Sequence, residues 1–180
     1  MEAILEKLHN DHISFDKLLN FLEGQLHLLE DCEVSDLSTT LDAVRYMKEY
    51  PDYVHHPLED TIFKYFLEHY EPEYEQIHDL LREHDHLPVL TDRLFEALQN
   101  ALTGVPQRRE ELCTMLGEYI SKQRQHIDHE EAHVYPVINA KLNEKDWQQI
   151  GAMTSRLEDP LFGKKVHKSY QRLFQQIISQ

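Results

Sequence analysis

Cysteine is nearly missing from this chain. Cys32 and Cys113 stand far apart, make neither a C-x-x-C pair nor a disulfide framework, and are expected to be incidental. Basic residues are outnumbered, 18 Lys and Arg against 33 Asp and Glu, for a formal charge of −15. A phosphate backbone or an anionic membrane surface needs a basic footprint, so neither nucleic acid nor membrane is an expected partner; cations are the expected guests. Long apolar runs are absent too. The N-terminal MEAILEKLHNDH is charged within its first few residues, so neither a secretory signal nor a membrane span is expected, and the chain reads as cytoplasmic. Only five Gly and seven Pro accompany 41% apolar and 28% charged residues in a chain of 180. That is the composition of a helix-rich globular protein of about one domain, long enough to bury a core, and it excludes a disordered chain.

What is abundant is histidine, at thirteen residues. They form no run, which rules out a tag or a metal-buffering tract, so their positions carry the information. Leu5, Leu8, His12, Phe15, Leu19, Leu22, Leu26 and Leu29 follow steps of three and four, a helix seam that contains His12. A second helix is expected from about Ser38 to Glu68, with Leu41, Val44, His55, Ile62 and Phe66 on one side. Pro72 is placed to open a third, with Ile77, Leu80, His84, Leu87, Leu94 and Leu98 inward and an end near Gly104. Pro106 is placed to open a fourth, to about Leu142, with Leu112, Leu116, Tyr119, His126, Glu130 and Val137 at seam spacing. The expected fold is all-α: an antiparallel up-down-up-down four-helix bundle over residues 1–142, with residues 143–180 as short helices packed on it.

His12 and His55 are 43 positions apart, and His84 and His126 are 42 apart. The second histidine of each pair opens an H-x-x-x-E: His55 with Glu59 in HHPLE, His126 with Glu130 in HIDHE. Residues at i and i+4 are neighbours on one helix face, about 5–6 Å apart at Cβ, so an imidazole and a carboxylate there can reach one ion together. Four His and two Glu at a common depth suit two ions better than one, because carboxylates can bridge. The mixed N/O set suits iron or manganese, with iron the first expectation, and imidazole also accepts zinc. Burying these groups with no ion would be costly. Pro57, Pro88 and Pro136 lie near the site, and each is expected to remove a helical hydrogen bond and bend its helix.

HHPLEDTIF and HIDHEEAHVYP resemble the second- and fourth-helix motifs of the hemerythrin-like, or HHE cation-binding, domains; NDHIS and REHDHL resemble the first- and third-helix motifs. The resemblance covers about residues 1–142 and is specific, since four separated motifs occur in the right order and spacing. It implies a non-haem diiron centre, oxo- or hydroxo-bridged, held by His12, His55, Glu59, His84, His126 and Glu130, the set the seams select. The oxygen carriers have H-x-x-x-H on the third helix, whereas here Pro88 stands four residues after His84. Two histidines per ion and a more open coordination are therefore expected. This is closer to the bacterial members that sense or react with oxygen, nitric oxide or peroxide, or that serve iron-centre repair.

Other groups near the ligand positions have lesser claims. His86 stands on a different face of the third helix; His133 falls seven residues after His126; His9, His56 and His129 lie off the main seam. Tyr119 is expected in the core, and Asp85 and Asp128 are the candidates for orienting ligand imidazoles. In HIDHEEAHVYP, Asp128 and Glu131 are expected to face away from the site. The expected partner is a small diatomic molecule or peroxide; no protein partner is indicated, and the chain reads as a monomer or homodimer. Diiron redox catalysis, iron storage or delivery, and a ferritin-like four-Glu site suggested by EKLH, EQIH, EHDH and EEAH are the alternative readings.

Overall fold

The computed structural model describes residues 2–154 and 158–179, and among them there are helices and no strand. Helix α1 (Ala3–Glu30) follows the first seam. The second expected helix is α2 (Leu37–Glu49), one π-helical turn (Pro51–His55) and α3 (His56–His69) in succession. The third is α4 (Glu75–Leu102); the fourth is α5 (Arg109–His129), a second π turn (Glu130–Val134) and α6 (Tyr135–Lys141). Pro72 and Pro106 precede α4 and α5 by three residues rather than sitting in their first turns. Helices α7 (Glu144–Met153) and α8 (Gln171–Ile178) follow, the latter after a short 3-10 turn at Lys168–Tyr170.

Two π turns stand where Pro57 and Pro136 were expected to interrupt the helical ladder. His56 and Tyr135 donate their backbone N–H five residues back, to Pro51 and Glu130, and Pro57 and Pro136 each come next, with no N–H to continue the ladder. Pro88 lies inside α4 without breaking it. The buried positions explain the widening. Met47, Pro51, His55 and Glu59 are spaced four apart, as are His126, Glu130, Val134 and Ile138. Three steps of four would drift about 40° each around an ideal α-helix, and the wider turn cancels the drift. After Glu130 the inward stripe therefore runs through Val134 and Ile138, with Val137 only half-buried, one residue later than α-helical spacing places it.

The core falls into two apolar clusters with the histidine layer between them. On α1, Leu5 and Leu8 belong to one cluster, and Phe15 through Leu29 to the other, His12 lying between. The order reverses along α2–α3 (Tyr46 before His55, Phe63 after), again along α4 (Leu80 before His84, Leu94 after), and again along α5–α6. Successive stretches thus cross the core in alternating directions. Trp147 and Ile150 of α7 extend one cluster, and Leu173 and Ile177 of α8 the other, so the tail packs on both halves of the core.

Helix α1 ends on an unusual residue. Glu33 N–H reaches Leu28 O at 2.8 Å and Cys32 N–H reaches Leu29 O at 3.3 Å, with Cys32 at φ 62°. This Schellman closure needs the left-handed conformation that glycine adopts without a Cβ clash. Cys32 is exposed, so Cys32→Gly should raise unfolding stability by about 1 kcal/mol in urea titrations; an unchanged or lower midpoint would count against the strain.

Candidate metal centre

His12, His55, Glu59, His84, His126 and Glu130 all lie in one buried layer, and both glutamates have 0% exposure. The imidazoles meet in two pairs, with Nε2 of His12 3.0 Å from that of His55, and Nε2 of His84 3.1 Å from that of His126. Each carboxylate spans both pairs. Glu59 turns Oε1 to His55 at 3.2 Å and to His12 at 3.7 Å, and Oε2 to His84 at 3.5 Å. Glu130 turns Oε1 to His84 and His126, both at 3.4 Å, and Oε2 to His12 at 3.2 Å. Nitrogens from a pair, with one oxygen of each bridging carboxylate, make a mixed N/O donor set of the kind iron, manganese or zinc accepts.

The outward Nδ1 atoms are equally ordered. His12 faces Glu131 at 2.8 Å, His55 faces Asp11 at 3.2 Å, His84 faces Asp60 at 2.7 Å and His126 faces Glu83 at 2.8 Å. Such pairs fix the ring and leave Nε2 free as a donor atom toward the centre. Glu131, expected to face away, instead takes His12 and also His9, at 3.0 Å. Asp85 and Asp128, the expected orienting residues, are exposed. The signal available was adjacency: all four orienting carboxylates are chain neighbours of a proposed ligand.

A cation fits this site by an independent measure. Glu59 Oε2 and both oxygens of Glu130 are buried with no hydrogen-bond partner, a costly state that a cation between the imidazole pairs relieves. Two groups of side chains bring their donor atoms within 4.8 Å of one another: His12, His55 and Glu59, and His56, Glu59, His84 and His126.

A family model, the hemerythrin HHE cation-binding domain, matches residues 3–138. The chain belongs to the hemerythrin HHE family. Comparison with curated proteins and with solved structures returns no significant match. The match thus begins at the first residue of α1 and ends at Ile138, the last residue of the four-apart stripe beyond the second π turn.

Three further residues complete the picture. Tyr135, which sequence reasoning passed over, is buried, stacks on His12 at 5.6 Å and donates its hydroxyl to Glu59 Oε1. Its position directly before Pro136 on the inner face was the available sign. His56, set aside as off the seam, is buried and stacked on His84 at 4.5 Å. Tyr119 packs in the core, where Gln123 donates to its hydroxyl at 3.3 Å. His133 and His86 are exposed.

Charge in this hemerythrin domain follows from the geometry. Burial disfavours protonated His12 and His84, but Glu130 and Glu131 beside the first, and Asp60, Glu130 and Glu59 beside the second, outweigh it, and both are pushed up to about 10. Burial likewise acts against the ionised forms of Glu59 and Glu130, yet the surrounding imidazoles hold both below the usual carboxylate range. A histidine with a raised folded pKa stabilises fully below its unfolded value of 6.5, and the contribution is lost as pH rises through about 10. Metal-free protein in EDTA should therefore melt at progressively lower temperature between those limits. Loading at pH 7 should release protons from His12 and His84, and from His55, which Glu59 and Asp11 also hold above its ordinary value. A flat melting profile with no proton release on titration would refute the assignment.

Proposed function

We propose that this hemerythrin-family chain is a non-haem diiron protein, with His12 and His55 on one ion, His84 and His126 on the other, and Glu59 and Glu130 bridging. The observation that carries the reading is the division of both carboxylates between the two imidazole pairs. When bound, the iron pair would supply a redox-active Lewis-acid centre with an exchangeable position for oxygen, nitric oxide or peroxide, serving sensing, protection or iron-centre repair.

The protein's own groups fit that use. A cleft of about 400 Å³ between α1 and α5 is lined by His12, Ile13 and Ile127, and another of about 400 Å³ between α4 and α5 reaches His126, with His86 on its wall. Small uncharged molecules can reach the buried layer along such routes, and Phe15 and Phe63 keep water from its flanks. The Tyr135 hydroxyl on Glu59 fixes one bridging carboxylate and is a proton donor beside the His12 and His55 pair. The ferritin-like reading loses support, because Glu6 of EKLH and Glu75 of EQIH are exposed and imidazoles occupy the inward positions on those helices.

Metal analysis of protein expressed with iron should give about two metals per chain, with an optical spectrum that changes on adding oxygen or nitric oxide to the reduced form. Below about one and a half metals in fully loaded protein, the dinuclear assignment fails. His126→Ala and Glu59→Ala should each lose metal and lower thermal stability, since site formation and folding are linked; full metal content in both would remove these residues from the ligand set.

A further inference from the structure

Every buried polar side-chain atom without a partner among the described residues belongs to four residues: Glu59, Glu130, His56 and Asp52. The two glutamates are accounted for by the bridging role. The other two form a pair of their own. Asp52 lies in the first π turn and His56 begins α3, so they stand four apart, with Nδ1 of His56 3.6 Å from Oδ1 of Asp52, just beyond a hydrogen bond. Both side chains are buried, at 6% and 2% exposure; His56 Nδ1 and both carboxylate oxygens of Asp52 make no hydrogen bond of standard geometry, Thr91 being the hydroxyl beside Asp52. The His56 ring lies flat on His84 and edge-on to His126 at 5.3 Å. One of its nitrogens falls in the same cluster as the donor atoms of Glu59, His84 and His126, all within 4.8 Å of one another. Two opposed bonds of about 2.1 Å to one ion span about 4.2 Å, so the cluster is close to coordinating size.

We infer that His56 is a fifth imidazole ligand, on the ion held by His84 and His126, with Asp52 as its positioning residue. The inference rests on the metal-pair reading above and changes the coordination expected from it. With Nε2 on the ion, Nδ1 carries the ring proton and donates it to Asp52, which gives both orphaned groups a partner. This repeats the arrangement of the other four imidazoles, each of which turns Nδ1 to a carboxylate. The condition of the two side chains agrees with it. Burial first, then the neighbouring His84 and His126, holds His56 well below its ordinary pKa, so it is a neutral ring with a free lone pair. Burial pushes Asp52 up to about 7, which a donated N–H would bring down. The pair is then unequal. Three imidazoles serve one ion and two the other, leaving the larger number of exchangeable positions on the His12 and His55 side, where Tyr135 and the cleft beside His12 lie.

The test is proton NMR of the cobalt(II)-loaded full chain in H2O and D2O, which counts exchangeable N–H protons of coordinated imidazoles, combined with metal analysis. Wild type should show two cobalt ions and five such signals, His56→Gln four. Asp52→Asn should keep five, with one signal moved and about tenfold weaker retention of one of the two ions against a chelator. Two ions with four signals in wild type overturns the fifth ligand and leaves the metal pair intact; fewer than two ions overturns the metal pair instead. Should His56→Gln not fold, the wild-type count decides alone.

Discussion

Two carboxylates with no access to water sit at the centre of the bundle, and the rest of the structure is arranged around making that tolerable. Glu59 and Glu130 are both fully buried, and an isolated buried carboxylate would protonate or unfold its surroundings. Imidazoles from four helical stretches close on them, and four further carboxylates close on the imidazoles. The polar layer so formed separates the apolar core into two clusters.

The outer carboxylates also tie the bundle together in a ring. Asp11, next to His12 on α1, holds His55 at the head of α3; Asp60, next to Glu59 on α3, holds His84 on α4. Glu83, next to His84, holds His126 on α5, and Glu131, next to Glu130, returns to His12 on α1. Consecutive residues on a helix point about 100° apart, so at each corner one side chain enters the centre while its neighbour reaches across to the adjacent helix. A change in the position of any one stretch would therefore misplace its own donor and loosen the donor of the next. Asp11 is held in turn by Lys7 at 2.7 Å and the Tyr50 hydroxyl at 3.2 Å, which carries the network from the centre toward the surface.

The inward histidines were legible in the sequence because a polar residue repeated at seam spacing on four stretches has no other explanation than a shared layer. The two H-x-x-x-E pairs were legible because i and i+4 fall on one helix face whatever the packing. The residues that escaped did so for a geometric reason. His56 stands 100° off the seam on an ideal helix, and only the π turn ahead of it, with its extra residue, brings it inward beside His84. The same widening moved the last inward positions from Val137 to Ile138. Runs of three consecutive four-residue steps, 47 to 59 and 126 to 138, were the visible trace, since an α-helix cannot hold such a stripe on one side. The orienting carboxylates escaped because they point between helices, a direction that one helix read alone does not reveal.

The charge of the layer links metal occupancy to the fold. Six carboxylates, Glu59, Glu130, Asp11, Asp60, Glu83 and Glu131, surround the four imidazoles, and among the described residues Glu59 and Glu130 meet no positive side chain other than those rings. Positive charge must come from protons on the imidazoles or from cations between them. The raised pKa values of His12 and His84 show the first solution, and it uses the Nε2 atoms that metal binding requires. Protons and metal ions therefore compete for the same atoms, and each supplies the charge that keeps the carboxylates buried. Protonated Nε2 atoms of His12 and His84 would stand 3.2–3.5 Å from Glu130 Oε2, Glu130 Oε1 and Glu59 Oε2, whereas a cation held by an imidazole pair would face one oxygen of each carboxylate. Either way the positive charge enters at the same atoms, so the fold and the occupancy of the layer are set together.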